Sequence, residues 1–185
     1  MRIDQLYKNY DVEVRWTAFP LHPEIPEEGL TLEELFSGQS VDFEKITARL
    51  RQVADGLDLP LGEREKTYNS RLAQELAKWA ESKGKGDPFH EAVFRAFFAE
   101  GKNIGKVDEL VALAKSIGLQ DKEARSVLEL RTFKEAVDSD WARSRSLGIT
   151  GVPTFVIGQQ AVVGAQPYEV LEQFLIKCGV KKRNP

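Results

Sequence analysis

The apolar pattern of this chain changes period twice, and that limits the folds open to it more than any other feature. Residues 12–18 alternate strictly, with Val12, Val14, Trp16 and Ala18 on one face and Glu13, Arg15 and Thr17 on the other. That is the signature of a half-exposed strand. From about Thr31 to Gly148 the apolar residues recur every three or four positions, as in a set of amphipathic helices. After Gly148 the period returns to two: Thr154-Phe155-Val156-Ile157, a Gly158-Gln159 turn, then Ala161-Val162-Val163 read as a β-hairpin. Strands at the two ends of the chain bury their apolar faces only by coming together in one sheet. The expected architecture is therefore α/β, with 1–30 and 146–185 forming one domain and 31–145 an all-helical insertion.

Local signals fill in this outline. Arg2 to Asn9 reads as a helix. Pro20, Pro23 and Pro26 end the first strand, because proline removes a backbone donor and fixes φ. Thr31 and Glu34 stand at capping-box spacing. The expected helical stripes are Phe43-Ile46-Leu50-Val53, Tyr68-Leu72-Leu76-Trp79, Phe89-Val93-Phe94-Phe97, Val107-Leu110-Val111-Ala114-Ile117 and Phe133-Val137-Trp141-Ser144, with a short helix capped by Asp121 and running through Leu128 between the last two. Asp87-Pro88 reads as an N-cap followed by proline at the first helical position. Gln166-Pro167 opens a last helix whose buried side is Val170, Leu171, Phe174, Leu175 and Cys178. Trp16, Trp79 and Trp141 lie on apolar stripes and are expected in the core.

Composition removes several classes of function. With 26 basic and 29 acidic residues the net charge is −3, which is not the footprint of a nucleic-acid binder. No stretch approaches the roughly 20 apolar residues of a membrane span. The N-terminus has no apolar segment of the secretory type. The single cysteine, Cys178, allows no intrachain disulfide, and a cytoplasmic, reducing setting is expected. Its place on the last helix predicts a buried, unreactive thiol. His22 and His90 have no ligand-like spacing, so no metal site is expected. The Lys181-Lys182-Arg183 cluster reads as a frayed, solvated tail.

The most informative segment is Gly148-Ile149-Thr150-Gly151-Val152-Pro153-Thr154-Phe155. On residue chemistry alone, Pro153 is either an ordinary trans proline opening a strand or part of a binding loop. Together with Gly164-Ala165-Gln166-Pro167 opening a helix, the segment resembles the C-terminal half of DsbA-family proteins. Phe19-Pro20-Leu21-His22-Pro23 and the helical stretches 68–79 and 89–105 are similar to the FrnE-type thiol-disulfide oxidoreductases of that family. The resemblance implies a thioredoxin-like sheet with a cis bond at Val152-Pro153. It also implies an extended polypeptide or thiol substrate beside Gly151, Val152, Pro153 and Thr154. His22, by its place in the loop after the first strand, is a further candidate to line a substrate groove.

The family's nucleophile, a Cys-x-x-Cys at a helix N-terminus, precedes the segment that matches Arg2 to Asn9. No residue here corresponds to it, so no catalytic residue is assigned and the enzyme question stays open. Three readings follow. In the first, the chain is an oxidoreductase scaffold whose catalytic segment is missing and which has no redox activity as it stands. In the second, it is a glutathione-dependent isomerase or transferase of the kappa or 2-hydroxychromene-2-carboxylate isomerase type, with glutathione as its one cofactor candidate. In the third, it is a non-catalytic peptide-binding module. In the family the absent strand runs between those matching 12–18 and 154–157, so an unpaired sheet edge and a homodimer formed through it are also expected.

Overall fold

The computed structural model describes residues 2–38 and 42–183; Met1, residues 39–41 and residues 184–185 lie outside it, as do the outermost residues of the two expected end segments. The element order is α1 (Arg2–Asn9), β1 (Leu30–Thr31), α2 (Leu32–Leu35), α3 (Phe43–Asp55), β2 (Lys66–Thr67), α4 (Arg71–Ser82), α5 (Gly86–Phe94), a π-helical turn (Arg95–Ala99), α6 (Val107–Ser116), α7 (Asp121–Glu129), α8 (Lys134–Ser146), β3 (Thr154–Ile157), β4 (Gln160–Val163) and α9 (Tyr168–Lys177). The chain divides into two compact units, Met1–Leu21 with Asp140–Pro185, and His22–Ser139.

The second unit is the helical insertion. Its core is built from the stripes that the sequence marks: Leu76, Trp79, Phe89, Leu110, Ala114, Ala124 and Leu128 are all buried. The leucines and Phe89 among them each contribute roughly 1.5–3 kcal/mol by leaving water. Residues 22–30 belong to this unit because two asparagines hold their backbone. Asn69 Nδ2 donates to the carbonyls of Pro23 and Ile25 at 3.1 and 2.7 Å, and Asn103 Nδ2 donates to that of Glu27 at 2.8 Å. The Thr31–Glu34 capping box closes α2 with both of its bonds. A two-residue antiparallel pair, β1 with β2, joins this segment to residues 66–67. The turn Arg95–Ala99 is wound as a π-helix, and residues 61–64 lie directly on it: Gly62 N–H donates to Phe98 O at 2.9 Å, and a Cβ at Gly62 would collide with the Ala99 carbonyl.

Three expectations for this unit need correction. The stripe Ile46, Leu50 and Val53 of α3 is about half exposed, at 47, 56 and 49 %. Its periodicity gives the helix an apolar side but cannot supply a neighbour to cover it. The helix at Asp87 begins one residue earlier, at Gly86, with Lys85 in the cap position, so Asp87 acts inside the first turn. Asp121 is the first residue of α7 and not its cap, a place taken by Gln120.

The first unit packs α1, the β3–β4 hairpin and α9 around Leu6, Tyr10, Leu171 and Leu175, with Val12, Phe155, Ile157 and Val162 against them. Residues 12–18 are not a strand. Alternation reports which side chains are covered, whereas a ladder also needs a partner backbone, and among the described residues none runs beside them. The segment is fastened at its ends. Tyr10 forms an antiparallel bridge with Lys182, and Asp11 N–H donates to Lys181 O at 3.0 Å. At the far end Ala18 N–H donates to Asp140 Oδ2 at 2.9 Å, and Ser144 Oγ lies 3.4 Å from Ala18 O.

The C-terminal basic cluster is accordingly not a frayed tail. Arg183 N–H donates to Asn9 O, Arg183 Nε donates to Tyr10 O, and Lys182 Nζ lies 3.5 Å from Glu172 Oε1. Cys178 caps α9 and is half-buried, so it is not the core thiol expected. Trp79 is in the core, while Trp16 and Trp141 are half-buried.

Asp140 is 2 % exposed, and its ion pair with the largely solvated Arg15 adds little. Its carboxylate satisfies the Ala18 amide. Asp140→Ala is expected to lower stability by about 1–3 kcal/mol through loss of that acceptor. The urea midpoint measures this, and a change below about 0.5 kcal/mol contradicts the tether.

Candidate functional site

The loop before β3 starts where α8 stops. Gly148 takes φ +65°, and the backbone closes the helix end through Gly148 N–H to Arg145 O and Ile149 N–H to Ser144 O, both at 3.0 Å. A left-handed residue after the last turn is the usual glycine solution to unpaired helix carbonyls. The chain then turns through Gly151, Val152 and Pro153. The Val152–Pro153 peptide bond is cis. Thr154 Oγ1 donates to Gly151 O at 2.7 Å and pins the loop from inside. Val152 is 50 % exposed. Pro153 is exposed as well, and Gly151 and Thr154 are half-buried.

The hairpin register decides what this loop presents. Thr154 is paired with Val163, Phe155 with Val162, Val156 with Ala161 and Ile157 with Gln160. Gly164 N–H donates to Pro153 O at 2.7 Å, which makes Pro153–Gly164 a hydrogen-bonded pair. Bonded and non-bonded pairs alternate along an antiparallel ladder. Phe155 and Ile157 therefore spend their main-chain groups on β4, whereas those of Thr154 and Val156 point away from it. Among the described residues these outward groups have no hydrogen-bond partner. Val152, Pro153 and Thr154 thus open a sheet edge with free donors and acceptors at every second residue.

His22 belongs to the other unit. Its Nδ1 lies 3.3 Å from Glu24 Oε1, and its ring meets that of Phe36 edge-on at 6.0 Å. These local contacts account for its orientation within that unit. Among the described residues no group of three or more His, Cys, Asp or Glu side chains converges as metal ligands, and no helix is long and apolar enough to cross a membrane.

Beneath the hairpin, Tyr10 Oη donates to Glu172 Oε1 at 2.9 Å. That hydrogen bond, helped by the Lys182 charge, holds the Glu172 carboxyl below its ordinary range. Burial pushes the Tyr10 hydroxyl up, and its Glu172 bond adds to this. The cluster fastens α1 and the C-terminal segment to α9 and lies on the inner side of the hairpin. It supports the edge and does not add a reactive group to it. Sequence reasoning picked out the loop but missed Val156, whose role follows from the two-residue turn at Gly158-Gln159: that turn sets which residues face outward.

A proline-opened hairpin packed on a terminal helix, with a helical unit interposed before it, defines a thioredoxin-like α/β protein. The DSBA-like thioredoxin domain model matches residues 1–176. The chain belongs to that family. It is 32% identical over 171 residues to YwbO of Bacillus subtilis (strain 168), spanning 92% of this chain and 84% of that protein. The crystal structure of the probable DsbA oxidoreductase SCO1869 from Streptomyces coelicolor is similar at TM-score 0.80 and 27% identity, covering 91% of this chain and 76% of that one. A 2-hydroxychromene-2-carboxylate isomerase shares the fold at TM-score 0.71 and 19% identity, over 96% and 85% of the two chains.

Proposed function

We propose that this chain is a DsbA-like, FrnE-type thiol-disulfide oxidoreductase scaffold that receives an extended polypeptide or thiol substrate along the outer edge of β3, and that the 185 residues do not themselves cycle a dithiol. The observation that carries this reading is the free main-chain edge of Thr154 and Val156, entered through the exposed Val152. An extended segment laid there gains backbone hydrogen bonds, the strand-addition mode of peptide recognition. Gly151, Val152, Pro153 and Thr154 form the entrance. Intrachain dithiol chemistry needs two thiols, and the sequence holds one. We place the protein in the cytoplasm, where a single thiol stays reduced. The same edge would take a second copy of the chain, which makes a homodimer the competing occupant.

Two measurements test this. In dithiothreitol-driven insulin reduction the chain is expected to give no acceleration over buffer; acceleration contradicts the inactive reading. Titration with an extended peptide is expected to shift the amide resonances of Thr154 and Val156, and no shift at about 1 mM peptide, a very weak binding limit, overturns the edge assignment. Glutathione run in parallel addresses the isomerase reading, which predicts binding at the same loop. Light scattering reports the homodimer.

A further inference from the structure

The hairpin has a second free edge, on β4, and it differs chemically from the first. By the same alternation, the main-chain groups of Ala161 and the N–H of Val163 point away from β3, and among the described residues they have no hydrogen-bond partner. The Val163 carbonyl is already occupied, accepting from Gln166 Nε2 at 2.7 Å. Beside this edge lies a shallow groove of about 230 Å³, bounded by β4 on one side and by Val170, Phe174 and Lys177 of α9 on the other. Those three residues fall at i, i+4 and i+7, one stripe of the helix. Val170 is 39 % exposed, an apolar side chain left uncovered on that stripe. Lys177 makes no ion pair among the described residues, so the groove carries one uncompensated positive charge.

The dimensions fit an added strand. From residue 170 to 177 the helix rises about 10.5 Å at 1.5 Å per residue. Same-face side chains of a strand, two residues apart, lie about 6.4–6.8 Å from each other at 3.2–3.4 Å per residue. That is close to the rise of about 6 Å from residue 170 to 174, and Lys177 stands about 4.5 Å beyond Phe174. A segment paired to Ala161 and Val163 would thus set alternate side chains against Val170 and Phe174, with the next polar position at Lys177.

We infer that the β4 edge and the α9 groove form a docking site for an extended acidic peptide, with apolar residues at alternate positions followed by a carboxylate that meets Lys177. The site is separate from the β3 edge and does not depend on the redox reading of the fold.

The test uses the full chain and a fluorescein-labelled peptide, Ser-Val-Thr-Val-Asp-Glu, followed by anisotropy, with a version ending in Lys-Lys as control. The acidic probe is expected to bind and the basic one to bind about tenfold more weakly, the scale of a charge reversal at a contact. Lys177→Glu should invert that preference. Ala161→Pro removes an outward N–H without touching the β3–β4 ladder, a position where an edge strand tolerates proline, and should weaken binding of the acidic probe at least tenfold. If that variant loses its fold, the charge inversion in Lys177→Glu carries the test alone. Amide shifts must fall on Ala161 and Val163; shifts on Thr154 and Val156 instead belong to the other edge and overturn this inference while leaving that one standing. Absence of binding at about 1 mM, equal binding to the Lys177→Glu variant, or a dimer in sedimentation that Ala161→Pro dissolves would each refute it, the last by giving the edge to a second copy.

Discussion

Glu75→Gln is expected to lower the stability of the protein by about 3 kcal/mol, the cost of removing one partner from a buried ion pair. Glu75 is fully buried in α4. Its carboxylate accepts from Arg71 Nε, and from Arg131 Nε and Nη2 at 2.7 and 2.6 Å, a two-pronged contact. Arg71 continues to Asp138 at 2.7 Å. Burial alone would raise the Glu75 pKa, but the hydrogen bonds from Arg131 and Arg71 outweigh it and hold the carboxyl below its ordinary value. Glutamine keeps the shape and one acceptor but leaves the two guanidinium groups without their shared anion.

At 2–4 °C per kcal/mol for a chain of this size, the melting temperature should fall by roughly 6–12 °C. Because the folded carboxyl is held below its unfolded value, its contribution is complete above the unfolded carboxylate range and is lost as pH falls through the depressed folded value. The gap between wild type and variant should therefore be full at neutral pH and narrow in acid. A gap that stays constant down the acid limb contradicts the charge-based account.

Arg131 adds a control. It occupies the position just after α7 with φ +54°, where glycine is the ordinary residue. An arginine held left-handed gives up roughly 1–2 kcal/mol of backbone preference, offset here by its grip on Glu75. Arg131→Gly regains the backbone preference while losing the grip, so it should destabilise less than Glu75→Gln. The reverse order would mean that leaving the buried Glu75 carboxylate without Arg131 costs more than neutralising it, and that the regained backbone preference does not offset the lost grip.

Leu171→Ala is the second large effect, expected at about 3 kcal/mol from lost transfer energy and the cavity left behind. Leu171 is 3 % exposed in a core whose other buried members among the described residues are Leu6, Tyr10 and Leu175. So small a cluster has few neighbours able to close over the space. Denaturant unfolding gives the magnitude, and hydrogen exchange gives the place: the inward amides of Phe155 and Val162 should lose protection. A loss under about 1 kcal/mol with their protection intact would show that α9 does not hold the hairpin in place.

The sequence alone settled the order and type of most elements. Apolar period, Gly148 and the Gly158-Gln159 turn are local statements, and local backbone chemistry enforces them. It also placed Leu76, Trp79, Phe89 and Leu110 in one core, since a stripe flanked by other stripes finds a neighbour. Tertiary structure decided whatever needs a second segment of chain. Residues 12–18 alternate like a strand yet have no ladder, because a ladder is a property of two backbones. The apolar stripe of α3 shows the same limit, being left about half exposed among the described residues. The basic C-terminal cluster is anchored because Asn9, Tyr10 and Asp11 supply the bonding groups far away in sequence. The free edges flanking the hairpin stand between these cases: the turn length fixes which residues face outward, but only the packed sheet shows that nothing among the described residues meets them.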